Sequence, residues 1–164
     1  MRDRYIHILS IAIVIAGMAV VAFLYWAEPR SLAEVATKGQ VATGTYSIDK
    51  DEANRGITSF RSDRFEDARA AFARADPERR DPGTQFYVAY SYYRQGWGRL
   101  YNDDALFKLG LDAVNRVIEL DTNYRSADQT LNLRTPSELK NELEEGLKIT
   151  ASDLNPMRLT RERK

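Results

Sequence analysis

The feature that most constrains this chain is an apolar run of 20 residues at positions 8–27, which contains no Asp, Glu, Lys or Arg. As a helix, such a run extends about 30 Å, the hydrocarbon thickness of a bilayer. Tyr5 lies before the run, and Tyr25 and Trp26 lie at its end. Aromatic side chains collect at these positions near membrane interfaces. The run therefore predicts an N-terminal single transmembrane helix.

A cleaved secretory signal is the alternative interpretation of the same run. Ser31 and Ala33 provide the small residues that a signal peptidase needs. The apolar cores of signal peptides, however, have only about 7 to 15 residues. The longer run favours an uncleaved anchor.

Lys and Arg residues near the run bear on its orientation. Arg2 and Arg4 precede it, whereas Arg30 and Lys38 follow it, so the charge rule is nearly balanced. The first pair lies closer to the run and next to the terminal amine. We expect a single-pass protein of the plasma (inner) membrane, with a cytoplasmic N-terminus and most of the chain on the non-cytoplasmic side.

Small side chains occur together within the run, at Ala12, Ala16 and Gly17. Small residues at such spacing let a second transmembrane helix approach closely. Alanine is also common in membrane spans without any such role. The patch predicts a contact with another membrane helix.

Composition excludes several functions. The 24 acidic and 24 basic residues balance, which argues against a nucleic-acid binder, and the chain has no Cys. His7, the only histidine, lies at the edge of the apolar run, so we predict no Ser–His pair, no metal site, no cofactor and no catalysis. Asp103 and Asp104 are a candidate acid–base pair, but after Asn102 they are more typical of a helix start.

The pattern after the run is helical and divides the chain into segments. We predict a tail and anchor at 1–27, a linker at 28–48, a helical domain at 49–150 and a basic tail at 151–164. Within the linker, Ser31 and Glu34 predict one short helix that ends at Gly39.

Capping residues predict where the helices of the domain begin and end. Starts are expected at Asp49 with Glu52, at Asp63 with Glu66, near Thr84, at residues 102–104 and at Thr135 with Pro136 and Glu138. Gly96 is expected to end the helix from Thr84 in the left-handed conformation, and the helix from 104 is expected to reach about Leu120. Leu139, Leu143 and Leu147 form a narrow apolar stripe on the last helix.

A repeat relates the first two helix pairs. Three pairs of similar residues lie 33 positions apart: Gly56 with Ala89, Phe60 with Tyr93, and Arg61 with Arg94. Such a period is typical of stacked helical hairpins. The segment GITSFRSDRFEDARAAFARAD, with Ala68, Phe72 and Ala75 in its second helix, resembles the tetratricopeptide repeat family. A second unit reaches residue 122 with an insertion at 97–105.

This resemblance implies an all-α array of two hairpins, closed by a capping helix near residues 139–147, with a ligand-binding concave face. Residues that the register and the aromatic composition assign to a partner-binding surface are Ile57, Phe60, Arg61, Phe86, Tyr90, Tyr93, Arg94, Trp97 and Tyr101. We expect about half of the aromatics in the groove and half, including Tyr92, in the core. Arg61 and Arg94 suit a bound carboxylate, unless they simply face solvent.

The combined prediction is a membrane-anchored protein-interaction module that binds another protein or a peptide, within a membrane-associated complex. The alternative is an accessory subunit built permanently into such a complex, with contacts made by the anchor and by residues 97–105. An enzyme is disfavoured, because no catalytic constellation can be assembled.

Overall fold

A computed structural model describes residues 2–27, 37, 39–98 and 102–148 of the chain. Within these ranges every regular element is a helix, so the all-α prediction is confirmed there. The chain divides into two compact units, Met1–Tyr46 and Ser47–Lys164.

The first unit contains the helix α1, Arg2–Ala27. Side chains are described for residues 7–22 and for Tyr25, and all of them are exposed. Residues 39–42 are also helical, so the predicted helix end at Gly39 is wrong. The helix start predicted at Ser31 and Glu34 lies outside the described residues.

The predicted membrane location needs correction. A transmembrane helix requires about 20 consecutive apolar residues to cover the hydrocarbon layer. In the part of the chain that the structure describes, no helix combines the length and the apolarity that a membrane crossing requires. By this finding, the prediction of a single-pass plasma-membrane protein with a cytoplasmic N-terminus is wrong. The predicted membrane contact of Ala12, Ala16 and Gly17 depended on that span and is dropped with it.

The second unit is a row of helices that pack in chain order. They are α2 (Lys50–Arg61), α3 (Phe65–Ala75), α4 (Pro82–Gly96), α5 (Asp104–Leu120) and α6 (Pro136–Leu147). Each helix packs against the next, and α2 also contacts α4. This arrangement places α2 and α4 side by side on one face of the unit.

Side-chain caps begin four of these helices. The Asp49 carboxylate accepts hydrogen bonds from the N–H groups of Asp51 and Glu52, and Thr135 and Glu138 form the predicted capping box. Asp81 caps α4, which begins at Pro82, so the predicted start at Thr84 is wrong by two residues. Asp103, and not the expected Asn102, caps α5. The Asp103 carboxylate accepts hydrogen bonds from the first N–H groups of α5. Asp103 therefore caps a helix, which is the alternative that the sequence favoured over an acid–base pair with Asp104.

The predicted capping box at Asp63 and Glu66 is wrong. Asp63 has a φ of 57°, in the left-handed region, and helix α3 begins at Phe65 without a side-chain cap. The N–H group of Asp63 donates to the carbonyl of Phe60 at 3.1 Å, so this residue closes the turn between α2 and α3. Asp tolerates the left-handed conformation better than most residues.

Gly96 also differs from its predicted role. It is the last residue of α4, and its φ is not positive. A Cβ atom there would lie 2.9 Å from the Cβ of Leu106 and from the Cδ1 of Phe107. The glycine therefore allows α5 to approach α4 closely, and it is not needed for a left-handed cap.

Aromatic rings form the centre of the core. Phe60 contacts Phe65, Tyr87 and Tyr90 at centroid distances of 5.9, 5.3 and 5.8 Å. Further ring contacts, from Phe72 through Tyr93 to Phe107, continue this cluster into α3 and α5. Leu139 and Leu143 of α6 are fully buried, as the predicted stripe requires. The core thus runs through all five helices of the unit.

Replacing Gly56 with Ala should destabilise the helical domain by about 1–3 kcal/mol, the usual cost of overpacking a core. A Cβ atom at Gly56 would overlap the ring of Phe72. Gly39→Ala is the matched control, because no atom lies within 4 Å of a Cβ there. Urea unfolding measures both free energies, and equal stabilities of the two variants would contradict this packing.

Candidate functional site

The face shared by α2 and α4 is covered by residues 121–135, which connect α5 to α6. We call this segment the covering loop. It contributes the buried side chains of Ser126, Leu131 and Leu133. The surface expected to be an open groove is therefore occupied by another part of the same chain.

Asp128 is the polar centre of this contact. Its Oδ2 atom accepts hydrogen bonds from the hydroxyl of Tyr87 at 2.7 Å and from Nη2 of Arg61 at 3.1 Å. Its Oδ1 atom accepts from the N–H group and the hydroxyl of Thr130, at 2.9 and 2.7 Å. One carboxylate oxygen thus binds the helical face, while the other holds the loop.

These contacts shift two pKa values. Burial by itself would raise the pKa of Asp128, but the hydrogen bonds from Tyr87, Thr130 and Arg61 outweigh it and hold that pKa well below its usual range. Burial raises the pKa of Tyr87, and the hydrogen bond to Asp128 raises it further. Asp128 is therefore a carboxylate, and Tyr87 a neutral donor, throughout the physiological range.

Apolar and aromatic side chains of the loop also contribute to the contact. Leu131 and Leu133 belong to the same core cluster as Phe60, Phe86 and Tyr90. The N–H group of Leu133 donates to the hydroxyl of Tyr90 at 3.3 Å, and the ring of Tyr124 lies 5.3 Å from that of Phe86. The loop therefore contacts α2 through Asp128, and it contacts α4 through Asp128, Leu133 and Tyr124.

The structure places most of the predicted partner-binding aromatics in the core. The side chains of Phe60, Phe86, Tyr90 and Tyr93 are at most 2% exposed. Ile57 and Trp97 are partly buried against the same cluster, and Tyr101 lies outside the described residues. Their role in binding stays a prediction.

The two predicted arginines each pair with a carboxylate of this chain. Arg61, which is 59% exposed, binds Asp128. Arg94 binds Asp63 at 3.0 Å, and its guanidinium lies 5.0 Å above the ring of Phe60. Each arginine therefore binds a different carboxylate of this chain, whereas the sequence analysis expected both to suit one bound carboxylate.

Tyr87 and Asp128 are the site residues that sequence reasoning missed. Tyr87 was one aromatic among many, and Asp128 lies in a stretch without helical periodicity. The alternation of Leu131 and Leu133 was the one local signal that this stretch has a buried side. Nothing in the pattern indicated which helices it covers.

The opposite side of the hairpins holds a cavity of about 710 Å³ between α3, α4 and α5. Arg69 lies in it, 4.3 Å above the ring of Tyr92, and donates to the hydroxyl of Ser91 at 3.4 Å. Burial lowers the pKa of Arg69. Tyr92 is half-buried here, on the side away from the covering loop. These contacts join α3 to α4, so we assign them a packing role.

Among residues 2–27, 37, 39–98 and 102–148, no group of three His, Cys, Asp or Glu side chains is placed to hold a metal ion. The one histidine, His7, lies on α1.

Asp128→Asn should lower the free energy of unfolding at pH 7 by about 2 kcal/mol, the scale of hydrogen bonds to a charged group. The low pKa of Asp128 belongs to the folded state, so the unfolded chain takes up the proton first as the pH falls below about 4. The stabilisation is therefore present above that pH and lost below it. The difference in the free energy of unfolding between the wild-type chain and Asp128→Asn should therefore become smaller below about pH 4.

Asp67→Asn is the control for this measurement, because the Asp67 carboxylate is 67% exposed and lies 3.9 Å from Arg64. It should change stability little at any pH. Urea titrations at pH 7, 5 and 3 compare the three chains. An Asp128→Asn variant as stable as Asp67→Asn at pH 7 would contradict the described role of Asp128.

A comparison of the chain with protein-family models, with curated proteins and with solved structures finds no match. The tetratricopeptide resemblance therefore rests on the residue pattern of positions 49–122 and stays a prediction.

Proposed function

We propose that the helical domain is a tetratricopeptide-like protein-binding module, and not an enzyme, whose α2 and α4 face binds a segment of a partner protein. The observation that carries this proposal is the covering loop itself. The face already binds a stretch of polypeptide through a carboxylate, a backbone N–H group and two leucines. Its chemistry is therefore that of a peptide-binding surface.

The hairpin packing supports the repeat interpretation. Gly56 and Ala89, the small residues one period apart, are both buried, and Gly56 lies against Phe72 of the next helix. Ala68 and Ala75 are buried in α3. Small side chains at helix crossings let the two helices of a hairpin pack closely.

The donors on the face support partner binding. Arg61 presents a guanidinium that is 59% exposed, beside the hydroxyl of Tyr87. A guanidinium with a neighbouring hydroxyl is a good match for a carboxylate. Arginine and tyrosine are also the side chains that most often dominate the energy of a protein interface.

Affinity purification of the full chain tests this function. A protein recovered with the wild-type chain should also be recovered with Arg64→Ala, because the Arg64 side chain is 60% exposed and lies 3.9 Å from Asp67, away from Asp128. Arg61→Ala, compared on an Asp128→Ala background so that the covering loop no longer uses the same guanidinium, should reduce its recovery at least about fivefold, the scale of a lost charge-assisted hydrogen bond. Quantitative mass spectrometry of the eluates gives the ratio.

Two results would contradict the proposal. Recovery that Arg61→Ala leaves unchanged would show that the partner does not use the α2 and α4 face. Recovery of the chain without any other protein would argue against a binding module. Circular dichroism of both variants controls for unfolding.

The second candidate function is an accessory subunit of a larger protein complex. The apolar side chains of α1 favour it, since Ile8, Ile11, Val14 and Met18 are all between 58% and 63% exposed. Contiguous exposed apolar surface usually marks an interaction site. A single companion in equimolar amount would indicate a subunit, whereas several companions in smaller amounts would indicate an adaptor.

A further inference from the structure

The covering loop is closed on itself between residues 126 and 134. The N–H group of Ser126 donates to the carbonyl of Arg134 at 2.8 Å, and the Arg134 guanidinium donates back to the carbonyl of Ser126 at 3.1 and 3.3 Å. Loops whose ends meet in this way are compact units packed by their own side chains. This part of the loop is therefore closed by hydrogen bonds of its own, in addition to its contacts with the helical face.

Asp128 also divides its hydrogen bonds between the loop and the face. Oδ1 accepts only from Thr130, within the loop, while Oδ2 accepts from Tyr87 and Arg61 on the helices. Release of the loop would break the bonds to Oδ2 and leave those to Oδ1 intact. The loop thus meets the face as a ligand would, through one oxygen and its apolar side chains.

The surface beneath the loop is suited to an external occupant. The hydroxyl of Tyr90 accepts from the N–H group of Leu133, and the ring of Phe86 lies 5.3 Å from that of Tyr124, so two aromatic side chains of α4 meet the loop. The guanidinium of Arg61 and the hydroxyl of Tyr87 lie at the Asp128 position. An apolar aromatic floor with charged and polar donors at its edge is the usual composition of an interface hot spot.

We propose that the covering loop is an internal ligand that leaves the α2 and α4 face to make way for an acidic, leucine-containing segment of a partner. The partner segment places a carboxylate on Arg61 and Tyr87 and two aliphatic side chains on the aromatic floor, as Asp128, Leu131 and Leu133 do. This inference rests on the proposed function, because it names the chemistry of the partner at that same face.

The absence of Cys from the chain makes opening of the loop directly measurable. Ser126→Cys places a thiol in the loop at a position that is 2% exposed, and Ser91→Cys places one in α4 at a position that is 0% exposed. The first thiol reacts with a maleimide when the loop opens, whereas the second reacts only when the helices separate. We expect Ser126→Cys to react at least about tenfold faster, because local opening costs less free energy than unfolding.

Equal reaction rates of the two thiols would overturn the inference, since the loop would then open only when the domain unfolds. Circular dichroism confirms that each variant is folded. If Ser126→Cys fails to fold, hydrogen–deuterium exchange of the wild-type chain replaces it, because the Leu133 N–H group donates to the Tyr90 hydroxyl while the loop is closed. Its exchange is compared with that of the Ser91 N–H group in α4, and equal protection of the two would overturn the inference.

A synthetic peptide of residues 124–135, cyclised through its ends to keep the loop closed, tests the binding site. At saturation it should raise the reaction rate of Ser126→Cys several-fold and leave that of Ser91→Cys unchanged. The same peptide with Ala in place of Asp128 is the matched control. The control peptide should need about ten times the concentration to raise the reaction rate of Ser126→Cys equally, because it lacks the carboxylate that binds Arg61 and Tyr87.

A cyclic peptide that does not change the rate, or equal potency of the two peptides, would overturn the proposed site. Recovery of a partner that depends on Arg61 is measured separately, on the full chain. A failure of the internal-ligand inference is therefore distinguishable from a failure of the proposed function.

Discussion

The aromatic surface that α2 and α4 share has to be covered, and the rest of the helical domain is arranged around that constraint. Phe60 of α2 is 1% exposed. Its ring contacts one ring of α3 and two rings of α4. Two hairpins alone would leave such a surface in water. The covering loop, together with α6, closes the core.

Apolar burial and the Asp128 carboxylate contribute differently to this cover. Burying Leu131 and Leu133 contributes about 2 kcal/mol each by transfer from water. The hydrogen bonds of Asp128 are partly offset by its desolvation and by the exposure of Arg61. The leucines therefore supply most of the attraction, and the carboxylate determines where the loop lies.

Local signals predicted the helix starts at Asp49 and Thr135, where a side chain caps its own helix. Asp49 and Thr135 act within three residues of their own positions, so their sequence context was sufficient. The same reasoning failed at Asp63 and Gly96. Asp63 closes a turn whose geometry depends on how α2 meets α3, and Gly96 is required by the approach of α5. Contacts between elements, which a local pattern does not contain, decided both positions.

The sequence by itself determined that the described chain is helical, where most of the helices begin, and that one face of the first two hairpins is rich in tyrosine, phenylalanine and arginine. Periodicity and capping are properties of neighbouring residues. Only the tertiary structure decided what lies on that face, since Asp128 meets Arg61 and Tyr87 across 67 and 41 positions of the chain. A stretch without periodicity carries no information about its distant contacts. The burial of the predicted groove was therefore decided by folding of the whole domain.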